Sequence, residues 1–161
     1  MSFPIKLSEH FSTAEMTVTE TRKYLEENRH PPDSLLPAAE ALCTTLLEPL
    51  RVHFNAPVVV HSAYRCAKLN KAIGGSKTSQ HQFFQAADFH VQGMDLTETW
   101  EWIGDNLASG GRVGQCILEG HTTAGPSWIH ISLGAPYRAL AKCGQMMTFD
   151  GSKYVIVRTV K

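Results

Sequence analysis

The stretch Gln115-Cys116-Ile117-Leu118-Glu119, the loop Gly120-His121-Thr122-Thr123-Ala124-Gly125-Pro126 and the run Trp128-Ile129-His130-Ile131-Ser132-Leu133 decide how this chain is read. The two apolar stretches have strand character, and the loop between them is made of turn formers. Strand period puts Ile129 and Ile131 on one face, where a core needs them, and Trp128, His130 and Ser132 on the other. His130 is thus a polar residue that the core does not require. The same period places Gln115, Ile117 and Glu119 on one face. If the two strands pair as a hairpin, Glu119 and His130 lie near the same end of it.

Outward from this pair, the pattern alternates between periods. Pro57-Val58-Val59-Val60 reads as a short buried strand and residues 86–91 as another. Upstream, apolar residues at 35, 36, 39, 42, 46, 47 and 50 follow the spacing of an amphipathic helix. Asp33 or Ser34 is positioned to cap it, Pro37 falls near its first turn, and Pro49 is expected to kink its last. Residues 66–73 look helical, with Gly74-Gly75 as a stop, and 76–85 read as loop. Asp95 or Thr97 caps a further helix through Trp100, Ile103 and Leu107, ended by Gly110-Gly111. Asp150-Gly151 is a hairpin signal between 146–149 and 154–157. Helices come mostly early and strands mostly late, which predicts an α+β fold: an antiparallel sheet with helices packed mainly on one face. The 161 residues suit one domain spanning 1–161, with 1–32 as an irregular or short-helical lead-in ending at Pro31-Pro32.

Composition excludes several classes. Hydrophobic residues make up 43% and charged residues 19%, against disorder. Fifteen Lys and Arg balance fifteen Asp and Glu, so no basic excess marks a nucleic-acid partner. No apolar run is long enough for a membrane span. The opening Met1-Ser2-Phe3-Pro4-Ile5-Lys6-Leu7-Ser8 lacks the apolar stretch of a secretory signal, so synthesis in the cytoplasm without Sec-type export is expected. Cys43, Cys66, Cys116 and Cys143 form no CxxC pair and read as buried free thiols. Oligomeric state is not legible.

Among eight histidines, His81 and His130 join Asp88 as a set that could hold a metal. Zinc accepts imidazole nitrogen and carboxylate oxygen, and a catalytic site uses three protein ligands with one position left for water. Each member also has an ordinary reading: His81 on a loop surface, Asp88 bonded to a turn, His130 at a sheet edge. His90, on the face of Asp88, and His121, in the loop beside Glu119, are rivals that could stand behind the ligands.

Context sharpens this set. Ser62-Ala63-Tyr64-Arg65, Ser79-Gln80-His81, Ala86-Ala87-Asp88, Ile117-Leu118-Glu119 and Trp128-Ile129-His130 follow one another in an order and spacing that resemble the zinc D-alanyl-D-alanine carboxypeptidase and L-alanyl-D-glutamate endopeptidase family, including its small phage-encoded members. That family shares its fold with the Hedgehog signalling domain, and the likeness covers about residues 40–134. It implies Zn2+ on His81, Asp88 and His130, with Glu119 as the base that takes a proton from water. Arg65, Ser79 and Trp128 would contact substrate, Arg65 also supporting a developing oxyanion. The implied activity is a zinc metallopeptidase, a hydrolase cutting peptidoglycan stem peptides as a cell-wall lytic endopeptidase or D,D-carboxypeptidase. Reaching the wall would then need a phage release pathway, a virion or lysis.

The chain departs from the family pattern at three places. Ala63 and Phe84 stand where glycine is usual, and Ser127 stands where an acidic base often sits, three residues before His130. A bulky Phe84 does not easily take positive φ, so a differently shaped loop is expected there. The competing readings are a zinc-containing but non-catalytic binding or virion-associated protein of the same fold, a non-haem iron oxygenase, and a cysteine peptidase using Cys66 or Cys116.

Overall fold

Six strands form one sheet in the order β1-β2-β4-β3-β5-β6, in a computed structural model that describes residues 3–120 and 127–161. They are β1 (Val58–Ser62), β2 (Ala86–Val91), β3 (Val113–Glu119), β4 (Trp128–Leu133), β5 (Gln145–Phe149) and β6 (Tyr154–Thr159). The fold is α+β, as expected. The sheet is not wholly antiparallel, because β5 runs parallel to β3. The short turn Leu140–Lys142 lies on the path that returns the chain to β3 rather than doubling it back on β4.

Helices cover one face. They are α1 (Thr13–Met16), α2 (Leu25–Asn28), α3 (Leu36–Leu42), α4 (Glu48–Phe54), α5 (Ala67–Ala72) and α6 (Leu96–Asn106). Leu42, Leu46 and Leu50 pack with Phe89, Ile129 and Ile131 in one buried cluster, joined from α6 by Trp100 and Ile103. Trp100 donates its indole N–H to the carbonyl of Cys116 (3.0 Å), which fixes α6 on β3.

The expected helix over 33–50 runs on to Phe54. No side chain caps its start, and Asp33–Leu35 is a 3-10 turn instead. Pro49 does not end it. Between α3 and α4, Cys43–Leu47 widens into a π turn, with Glu48 N–H reaching back to Cys43. Pro49 has no N–H to give Thr45 and its ring would crowd that carbonyl, so a wider turn absorbs both problems. α6 is capped by Asp95, whose carboxylate accepts from Glu98 N–H (2.9 Å).

β1 corrects another expectation. It alternates between half-buried and exposed positions because it lies at the sheet edge. A bulge follows Val60, which pairs with Phe89, so that Ser62 rather than His61 stands opposite Asp88. One extra residue re-aims a side chain in this way.

The first 32 residues are more than a lead-in. Leu7, Phe11 and Met16 are part of the core, and Asn28 is fully buried. Its amide donates to the carbonyls of Thr17 (2.8 Å) and Tyr64 (3.0 Å) and accepts from Cys66 N–H (2.8 Å). That clamp holds residues 64–66, which carry Arg65.

Phe84 is in the left-handed region (φ 56°, ψ 32°), capping the 3-10 turn Gln80–Phe83. The loop therefore takes the conformation that glycine would permit, against the expectation from its bulk. Left-handed backbone costs a non-glycine residue about 1–2 kcal/mol. The ring is fully buried and lies 5.3 Å from that of Tyr64, and burying a phenylalanine stabilises by about 1.5–3 kcal/mol, enough to offset the strain. Phe84→Ala, which loses the ring but keeps the strain, is expected to cost about 3–5 kcal/mol. Phe84→Gly should cost roughly 1 kcal/mol less, reversing the usual order of alanine and glycine. Denaturant unfolding of the two variants checks this, and an equal or larger loss for glycine would contradict it.

Candidate metal centre

His81, Asp88 and His130 come together on the sheet side opposite Ile129 and Ile131, with one ligating atom from each within 4.8 Å of the others. Strand register does most of this work. Asp88 of β2 stands directly opposite His130 of β4, and Ile117 of β3 flanks His130 on the other side. His81 arrives from the 3-10 turn. Its carbonyl accepts from Arg65 N–H (3.1 Å), and Asn70 donates to the carbonyl of Ser76 (2.9 Å) to brace the preceding loop.

Hydrogen bonds set the roles of the ring nitrogens. His81 Nδ1 lies 2.7 Å from the carbonyl oxygen of Ala63, so this nitrogen donates and Nε2 is left as an acceptor. Nε2 faces Asp88 Oδ1 at 3.3 Å. His130 Nδ1 lies 2.9 Å from the same oxygen. The other carboxylate oxygen, Oδ2, accepts from Arg65 Nη2 (2.7 Å), while Arg65 Nε donates to Ser62 Oγ (2.8 Å).

Burial pushes the Asp88 carboxyl up, but the charged and hydrogen-bonding groups around it hold it far below the usual carboxylate range. Burial lowers the proton affinity of His81, and Asp88 only partly restores it. A neutral His81 therefore turns a lone pair toward an ionised oxygen. Two acceptors at that distance repel unless a cation lies between them, so the donor set fits a metal. Two imidazoles and one carboxylate suit zinc and leave a coordination position open.

Glu119 closes β3 opposite Trp128. Burial raises its carboxyl pKa, with Asp88 adding to the rise against the pull of His130. Ser127 N–H donates to the Glu119 carbonyl (2.8 Å), so the family's usual acidic position and Glu119 are neighbours at one hairpin end. Trp128, Arg65 and Asp88 line a cleft of about 320 Å³ together with His61, Thr19 and Glu20.

The remaining predicted residues fall elsewhere. Ser79 braces the loop through its backbone, its carbonyl accepting from Gln82 N–H (3.1 Å), and its hydroxyl makes no hydrogen bond among the described residues. His90 turns to His61 (2.7 Å between ring nitrogens) and is not in the metal-binding group. His121 lies outside the described residues. All four cysteines are buried, and burial pushes the thiols of Cys43 and Cys116 up, away from nucleophilic thiolate.

A sheet that presents two imidazoles and a carboxylate within 4.8 Å of one another offers the donor set of a metal-binding protein. The Peptidase M15 family model matches residues 9–131, and the chain belongs to that family. M15 peptidases are zinc-dependent, so membership implies a metallopeptidase. No curated protein matches the chain. No helix among the described residues is long and apolar enough to cross a membrane.

Three residues bearing on the site went unread in the sequence. Asn28 and Tyr154 carry no motif signal, and His61 becomes relevant only through the β1 bulge. The chain is expected to bind about one zinc, with His81→Ala and His130→Ala each losing most of it. Arg65→Lys keeps the charge but not the paired contacts to Asp88 and Ser62, and should weaken zinc roughly 10–100-fold. Metal analysis and competition with a chromophoric chelator check both, and full zinc in either histidine variant would sink the assignment.

Proposed function

We propose that the protein is a zinc peptidase that hydrolyses peptidoglycan stem peptides, as a cell-wall lytic endopeptidase or a D,D-carboxypeptidase. The observation that carries this reading is the juxtaposition of the His81–Asp88–His130 donor group with the half-buried carboxylate of Glu119. The stem-peptide substrate comes from the resemblance of the motifs around those residues. Delivery to the wall by release or lysis, as for phage-encoded enzymes, belongs to the same proposal.

His81, Asp88 and His130 would hold the ion. Bound there, zinc supplies Lewis acidity, making water acidic near neutral pH and polarising a peptide carbonyl. Glu119 takes a proton from the attacking water as its oxygen bonds to the carbonyl carbon. The C–N bond then breaks, and Glu119 returns that proton to the leaving nitrogen; the second water proton stays with the products, which are a new carboxyl group and a free amine. A raised carboxyl pKa suits this exchange, because a carboxylate of greater proton affinity takes the water proton more readily. Arg65 keeps Asp88 oriented through Oδ2, and its Nη1, which has no partner among the described residues, is left to meet a substrate oxygen. Trp128 walls the cleft against the peptide.

Digestion of purified peptidoglycan, with new termini identified by mass spectrometry, tests this. New amine and carboxyl ends within stem peptides are expected, abolished by a chelator that leaves the fold largely intact. Glu119→Gln should keep its zinc and lose about 10²–10⁴ in rate. Zinc-loaded protein that opens no peptide bond would favour a binding role for the same site.

A further inference from the structure

The hairpin of β5 and β6 lies beyond the matched residues 9–131. Parallel pairing of β5 with β3 sets Ile117 beside Met147 and Leu118 beside Thr148, which carries Phe149 to the end of β3 where Glu119 sits. A tight turn then reverses the chain. The Asp150 carboxylate accepts from the N–H groups of Ser152 (2.9 Å) and Lys153 (2.9 Å), and Lys153 and Ser152 hold its pKa down to about 2. Tyr154 follows, paired with Phe149 across the hairpin.

The Tyr154 ring stacks on Phe149, with centroids 4.5 Å apart and planes 30° apart. Its hydroxyl lies 3.3 Å from Glu119 Oε1. An ionised carboxylate only accepts, so the phenol donates. The side chain is 54% exposed, and the core does not need it. An exposed phenol held by one ring beneath it, with the Glu119 carboxylate as its hydrogen-bond partner, has the geometry of an orienting group.

We propose that Tyr154 is a positioning residue for peptide hydrolysis, its hydroxyl holding Glu119 Oε1 so that Oε2 is the oxygen that carries the proton from water to the leaving amine. The Tyr154 proton stays on its own oxygen throughout. This inference rests on Glu119 being the base, and it gives the C-terminal hairpin a part in the site.

The test is a double-mutant cycle on the full-length, zinc-loaded protein with soluble peptidoglycan fragments, combining Tyr154→Phe with Glu119→Gln. Tyr154→Phe keeps the stacked ring, so thermal stability and zinc content should hold. Its kcat is expected to fall about 5–10-fold, the worth of one ordinary hydrogen bond, with KM little changed. In the Glu119→Gln background it should add no further loss. An independent readout is the ultraviolet titration of the phenol, isolated by difference against Tyr154→Phe. Burial, then Glu119, raises the Tyr154 pKa, and Glu119→Gln should bring it down. Wild-type kcat in Tyr154→Phe beside an inactive Glu119→Gln overturns this inference alone. Losses that multiply overturn it too, because the phenol would then act on substrate directly. Full activity in Glu119→Gln overturns the base assignment and the positioning role together.

Discussion

The buried, ionised carboxylate of Asp88 is the constraint around which the site is organised. An unpaired charge in such a position costs several kcal/mol. Here His130 engages Oδ1 and Arg65 engages Oδ2, while His81 turns Nε2 toward Oδ1 across the position a cation would fill. Each partner comes from a different piece of chain, so the demand of one side chain reaches β1, β4 and the loop before β2. The β1 bulge turns Ser62 toward Arg65, the Ala63 carbonyl fixes the His81 tautomer, and strand register supplies His130. Three side chains converge on a carboxylate because that carboxylate must stay charged.

Behind these contacts stands a second layer that never touches the proposed zinc position. Asn28 pins the segment carrying Arg65, and Phe84 shapes the turn carrying His81. Phe84 shows how a local rule gives way. Positive φ is unfavourable for its backbone, yet its ring fills a site beneath Tyr64, and burial outweighs strain. A glycine would satisfy the backbone without filling the space, so two different residues can serve one turn for opposite reasons.

Much of the site could be read in the sequence because its parts sit on strands, where period two fixes which face each residue takes. His130 stood out as a polar residue in a patterned strand, and Asp88 shared a face with His90 rather than with the core-facing Ala87 and Phe89. The strands β2 and β4 end where the pattern ends. What escaped was what depends on register between distant segments. The parallel pairing of β3 and β5, the β1 bulge, the Asn28 clamp and the approach of Tyr154 to Glu119 involve residues far apart in sequence whose types signal nothing locally. The π turn before Pro49 escaped for another reason. A proline in a helix permits a kink, a break or a widened turn, and packing of Leu46, Leu47 and Leu50 into the core decides among them.

The atoms that surround a bound zinc identify its site. X-ray absorption at the zinc edge of the loaded protein reports the donor atoms directly. Two imidazoles with light-atom distances near 2.0–2.1 Å, and no sulfur near 2.3 Å, are the shell that His81, Asp88 and His130 would provide. A shell containing sulfur, or one without imidazole, would place the metal elsewhere and contradict the account.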